Sequence, residues 1–158
     1  MDSQAVLQQL LQQEENLQFE TFTNDTAYEL GSLIVTRAKR EGKAIVVDIR
    51  LRGERVYYTR MEGKSSRNDE WVDWKNNVVQ HYEHSSYYIH LLLAGRGGTV
   101  EDDGLDPEQY KAVGGAVPLR MLGEGVVGIA TVSGLTGEQD HAMVAEALAE
   151  LIQKDVRQ

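Results

Sequence analysis

The chain has 158 residues, 41% of them hydrophobic, and its 25 acidic against 16 basic side chains leave a net charge of −9. That length makes one domain with a core of its own, and the acidic balance speaks against a nucleic-acid or anionic-membrane surface, either of which needs clustered Lys and Arg. There is no cysteine, which excludes disulfides, thiolate catalysis and cysteine metal sites.

The amino terminus, Met1-Asp2-Ser3-Gln4, lacks the basic segment and apolar core of a signal peptide. No apolar run approaches the roughly 20 residues that span a bilayer. A cytoplasmic protein is expected. Residues 3–16 read as a helix, and 1–16 as a helical accessory to a single domain over 1–158, with Ser3 as the cap and Val6, Leu7, Leu10 and Leu11 as one apolar stripe among glutamines. So narrow a stripe covers a single partner surface, in the same chain or in a neighbouring subunit. Residues 17–22 alternate and read as a first strand.

A second helix begins near Asn24 to Thr26, where Thr26 and Glu29 have capping-box spacing. Tyr28, Leu30, Leu33, Ile34 and Ala38 form its expected buried face, and Glu41-Gly42 ends it. From Ala44 to Leu51 a strand points Ile45, Val47, Ile49 and Leu51 one way and Val46, Asp48 and Arg50 the other. The chain turns at Arg52-Gly53-Glu54 and returns antiparallel over residues 55–61. The only basic run, Arg50 to Arg55, reads as a solvated hairpin end.

After a polar break at 63–68, a helix from about Asp69 carries Trp71, Trp74, Val78 and Tyr82 at helical spacing, the spacing of core rings, and a second helical piece covers 85–93. The glycine-rich, acidic segment 95–106 reads as a mobile surface loop. Strands over 116–121 and 126–133 follow, with Gly128 and Ala130 allowing close approach of another element. A last helix starts at Thr136, capped with Gln139. The order implies an α+β fold, an antiparallel sheet with helices on its faces.

His141 is the most informative single residue. Positions 141, 144, 145, 148 and 152 share a helix face, and the other four are Val144, Ala145, Leu148 and Ile152. The imidazole therefore extends a buried stripe, at the positive end of the helix dipole, where protonation is disfavoured. It is a candidate base, hydrogen-bond partner or metal ligand, against a packed core histidine. Asp140 and Glu138 complement the dipole and disfavour phosphate there. His81, His84 and His90 flank Tyr82, Tyr87 and Tyr88, and His81 with His84 has the spacing of a metal pair but no third ligand. Ser133 lies in Val-Ser-Gly-Leu, not in a nucleophile elbow. Asp140 and His141 point about 100° apart on a helix, which separates two members of any Ser133-based triad. There is no P-loop, dinucleotide fingerprint or zinc helix.

Gly114-Gly115-Ala116-Val117-Pro118, Val127-Gly128, Val132-Ser133-Gly134-Leu135 and Asp140-His141 resemble the GlcG/HbpS-like superfamily, some members of which are labelled haem-degrading domains. Asn68 to Lys75, His84-Ser85-Ser86-Tyr87-Tyr88 and Phe22 to Gly31 extend the resemblance over roughly 17–155, and point to an uncharacterised subgroup ending in Ser-Gly-Leu…Asp-His. Two positions depart from the pattern: Trp74 stands where an arginine precedes the helix lysine, and Val113 where a histidine often precedes the double glycine. The resemblance implies a profilin-like fold, five antiparallel strands between helices, and a homo-oligomer. It also implies a small ligand, planar or anionic, with haem as the named candidate cofactor.

On that basis the expected function is oligomeric small-molecule binding. The expected pocket lies among His141, Ser133, Gly134, Trp71, Lys75, Ser85 and Ser86, with Lys75 meeting a ligand carboxylate and His81, His84 or His141 as the haem ligand. Two alternatives are an enzyme acting on a small hydroxy- or oxo-acid with His141 as base, and a structural or chaperone-associated partner protein.

Overall fold

The computed structural model describes residues 3–157, the side chains of 155–157 excepted. Five helices, α1 (Ser3–Asn16), α2 (Asn24–Arg40), α3 (Ser66–Tyr82), α4 (Ser86–Gly95) and α5 (Gly137–Arg157), surround a five-stranded sheet. Its strands are β1 (Gln18–Phe19), β2 (Val46–Leu51), β3 (Glu54–Arg60), β4 (Ala116–Met121) and β5 (Gly125–Ser133), in the order β1-β4-β5-β2-β3.

The sheet is mixed, not antiparallel throughout. The two residues of β1 pair parallel with β4, Gln18 with Arg120 and Phe19 with Met121, while the other neighbours are antiparallel. The expected strand over 17–22 stops at Phe19 because the chain then turns inward. Phe22 packs edge-on against Phe19 at 5.0 Å, and both rings are buried.

One face of the sheet carries the main core. Ile45, Val47 and Ile49 of the β2 segment meet Leu30 and Ile34 of α2 and Val144 and Leu148 of α5. The opposite face packs Ala116 and Ile129 against Val79 of α3. Behind α3, Val78, Ile89, Leu93 and Val100 make a second apolar cluster with α4. Helices thus cover both faces, and β2 is buried on both, Val46 as fully as Val47.

Several local expectations are corrected. Helix α2 is capped by Thr23, whose hydroxyl accepts from Thr26 N–H while Thr26 returns the bond to Thr23 N–H. Its buried face runs through Ala27, Leu30, Gly31, Ile34 and Ala38, leaving Tyr28 66% exposed, edge-on to Tyr57. Gly31 is required there, since a Cβ would lie 2.4 Å from the Tyr57 ring. On α3 the buried residues are Val72, Lys75, Asn76, Val78 and Val79, and both tryptophans are half-buried instead of central. The segment 95–106 is not an open loop: a 3₁₀ turn at Val100–Asp103 buries Val100, and Tyr82 donates to Asp103 at 2.5 Å.

The apolar stripe of α1 is covered within the chain. Leu7 and Leu10 are buried as α1 packs on α4, so this stripe is not a free oligomer surface. Glu14, also buried, accepts from Arg120 at 3.0 Å and lies 3.1 Å from His84 Nδ1, tying α1 to β4 and α4. The arginines of the basic run are each paired: Arg50 and Arg55 with the buried Asp48, Arg50 also with Asp73, and Arg52 with Glu124.

Candidate functional site

The motif residues converge where β5 ends and α5 begins. Lys75, buried on α3, donates to Val132 C=O and to Asp140 Oδ2, both at 3.0 Å. Asp140 also accepts from Leu135 N–H at 3.0 Å. Burial pushes the Lys75 ammonium down, with Asp140 opposing, and pushes the Asp140 carboxyl up, with Lys75 and the Leu135 and Gly134 N–H groups opposing. The carboxylate that meets Lys75 is therefore the protein's own. Asp140 does more than complement the helix dipole: it closes an internal ion pair.

The double glycine packs directly on this pair. A Cβ on Gly114 would stand 2.2 Å from Gly137 C=O, and one on Gly115 would stand 2.4 Å from Val132 C=O and 2.7 Å from Lys75 Nζ. Gly115 has φ +138°, a conformation that side chains rarely adopt. Ser86 is fully buried and its hydroxyl accepts from Ala116 N–H at 3.1 Å; Ser85 caps α4 by accepting from Tyr88 N–H. Ser133 Oγ lies 3.4 Å from Asn68 Nδ2, and Gly134 C=O accepts from Lys64 at 3.1 Å. These groups form a satisfied polar framework.

His141 is 6% exposed, and its Nε2 lies 3.0 Å from Gln13 Oε1 of α1. That acceptor places the proton on Nε2 and leaves the buried Nδ1 lone pair without a partner. The Tyr87 ring packs at 5.1 Å. Ser133, Asp140 and His141 therefore turn to three different partners, Asn68, Lys75 and Gln13.

Burial lowers the His141 pKa to about 4 by desolvating the charged ring, where the sequence pointed to the helix dipole. Between the ordinary value of 6.5 and about 4, the unfolded chain binds a proton that the folded chain does not. Stability is therefore expected to fall as pH drops through this window, by a component approaching about 3 kcal/mol. Urea midpoints at pH 7, 5.5 and 4.5 should show a shallower decline for His141→Gln. Identical pH profiles for the two proteins would mean that His141 is not held neutral.

Open space lies beside this framework. One cleft of about 370 Å³ runs between α4 and the segment 98–113, with Leu93, Val100, Tyr110 and Ala112 among its walls. A smaller cleft of about 260 Å³ lies over the start of α5, lined by Tyr87, Leu91, Gly114, Gly137 and Glu138. His90 and Val113 border both. His90 Nδ1 lies 3.0 Å from Ala112 C=O, which fixes its proton on Nδ1, and its ring stacks with Tyr87. In the neutral ring that leaves the lone pair on Nε2, as in a metal-ligating imidazole whose other nitrogen donates to a carbonyl.

The sequence singled out the other three histidines. His141 lines neither cleft. His81 packs beside Tyr82 and Tyr110, and His84 is held by Glu14. Among the described residues, no group of three or more His, Asp or Glu is arranged to hold a bare metal ion. The signal for His90 was its three-residue spacing from Tyr87 on one helix; its carbonyl partner, 22 residues away, was not readable.

A family model described as "Haem degrading protein HbpS-like" matches residues 22–149. A "UPF0303 protein" of Rhizobium etli is 40% identical over 150 residues, 95% of this chain and 92% of that one. Among solved structures, that of the Ybr137w protein superposes with a TM-score of 0.86 at 27% identity, covering 95% of this chain and 89% of the other. A structure titled as a PduOC:Heme complex shares the fold, with a TM-score of 0.65 at 20% identity, covering 83% and 94%.

Proposed function

As the chain belongs to the HbpS-like family, we propose that it is a small-molecule-binding protein whose ligand occupies the clefts on either side of His90. The observation that carries this is the imidazole itself: its Nδ1 is turned to Ala112 C=O, so that Nε2 is the ring position left for a ligand, and apolar walls stand beside it. Val113 stands where the family pattern often has a histidine, and it borders the same two clefts, so α4 returns an imidazole to that place.

Haem is the named candidate ligand. A bare ion needs several protein donors, whereas a porphyrin brings four nitrogens and asks the protein for one axial ligand and apolar walls. His90 with Leu93, Val100 and Tyr110 fits that demand. Bound there, haem would supply a redox-active iron. The framework of Lys75, Asp140, Ser85, Ser86, Ser133 and Gly134 supports the wall from behind, and Trp71 belongs to a different cleft.

Titration with haemin is expected to give a saturable Soret shift at one equivalent per chain. His90→Ala should abolish it, while His81→Ala, His84→Ala and His141→Gln should retain it. Binding by His90→Ala equal to the parent's would overturn His90-ligated haem.

A further inference from the structure

We propose that a separate cleft, on the outer side of α3, binds a small flat aromatic carboxylate. Arg67, Trp71 and Trp74 follow one another at four- and three-residue spacing, so they share a helix face. The segment around Lys111 crosses beside them, held by Asn77 Nδ2 donating to Gln109 C=O at 2.7 Å and by Lys111 N–H donating to Trp74 C=O. Between them lies a cleft of about 380 Å³.

Its walls are unusual for a surface. The two indoles meet at 5.2 Å and 77°, an L-shaped apolar notch whose rings are each half-buried. Two cations stand over the Trp74 ring, the Arg67 guanidinium at 5.2 Å and the Lys111 ammonium at 5.6 Å. These two side chains bring positive charge to the rim of the notch. Arg67 is engaged by Glu70 at 3.0 Å. Lys111 enters none of the ion pairs among the described residues, and its charge is held over an aromatic ring.

A flat ring laid in the notch against Trp71 covers apolar surface of the cleft, and a carboxylate on that ring meets Lys111. Glu108 borders the same cleft and opposes a bare anion. The ligand that answers both groups carries a carboxylate and, across the ring, a hydrogen-bond donor.

The chain's only two tryptophans are the two in this cleft, so intrinsic emission reads the site directly. Titration with 4-hydroxybenzoate is expected to change that emission saturably, with calorimetry giving one site per chain. Cyclohexanecarboxylate, which lacks the flat ring, and 4-hydroxybenzamide, which lacks the charge, should each bind at least fivefold more weakly. Lys111→Gln, a change at a half-buried rim position, should weaken binding fivefold or more, and Trp74→Leu tenfold or more. A non-saturating response, an unchanged affinity in Lys111→Gln, or equal binding of either control compound would overturn the proposal. Lys111 also borders the His90 cleft. His90→Ala therefore separates the sites: unchanged binding is expected, and its loss would place the compound in the other cleft and overturn the assignment.

Discussion

Lys75→Met is expected to be among the most destabilising single substitutions in the chain, at about 3–5 kcal/mol, the usual cost of leaving one member of a buried ion pair alone. Lys75 and Asp140 are 2% and 1% exposed, so the stranded carboxylate has no route to water. It keeps only backbone N–H partners, Leu135 at 3.0 Å and Gly134 beside it. Part of the loss is escaped by protonation, since Asp140 is already pushed upward by burial and Lys75 is among the groups holding it down. The Lys75→Met variant should therefore regain stability as pH is lowered toward the raised Asp140 value, opposite in sign to the His141 component. Adding Asp140→Asn, which removes the charge and keeps an acceptor for Leu135, should recover at least half of the loss at pH 7. Denaturant midpoints for the single and double variants test this. A loss below about 1 kcal/mol, within the range of ordinary substitutions, or no recovery in the double variant would show that the pair does not carry this part of the fold.

Gly115→Ala should cost about 3 kcal/mol or more, because two penalties coincide. The backbone sits at φ +138°, and a non-glycine residue in such a region costs of order 1–3 kcal/mol. The added methyl would meet Val132 C=O at 2.4 Å and Lys75 Nζ at 2.7 Å, an overpacking of a well-filled interior worth roughly 1–3 kcal/mol more. Val132 C=O is already an acceptor for Lys75, and Val132 N–H bonds back to Gly115 C=O at 3.0 Å. A methyl there pries apart the junction of β4, β5 and α3. Gly104→Ala is the control: its φ is +79° and a Cβ would meet nothing within 4 Å, so only the conformational cost of about 1–2 kcal/mol applies. Thermal unfolding of both variants decides the matter. Equal losses would mean that the contact adds nothing.

The sequence by itself determined the elements that rest on local periodicity. The span of α1, the antiparallel pair β2–β3, the two strands before α5 and the buried stripe through His141, Val144, Ala145 and Leu148 all follow from which side chains avoid water. Alternation and helical spacing are properties of neighbours in the chain, and so is the reciprocal cap of Thr136 and Gln139. Where several stripes compete, the sequence does not choose. On α3 the aromatic run through Trp71 and Trp74 offered one buried face, yet the helix turned Val72, Lys75, Asn76 and Val79 inward. Burying Lys75 became favourable only because Asp140, 65 residues later, and the Val132 carbonyl stood within 3.0 Å to receive it. The same holds for β1, whose parallel pairing depends on where β4 lies, and for the α1 stripe, whose partner α4 is in the same chain. It holds too for His90, which acquired a defined tautomer from a carbonyl 22 residues away. Hydrophobic spacing is written locally, whereas the desolvation of a charge or an imidazole is decided by partners that only the tertiary structure brings into contact.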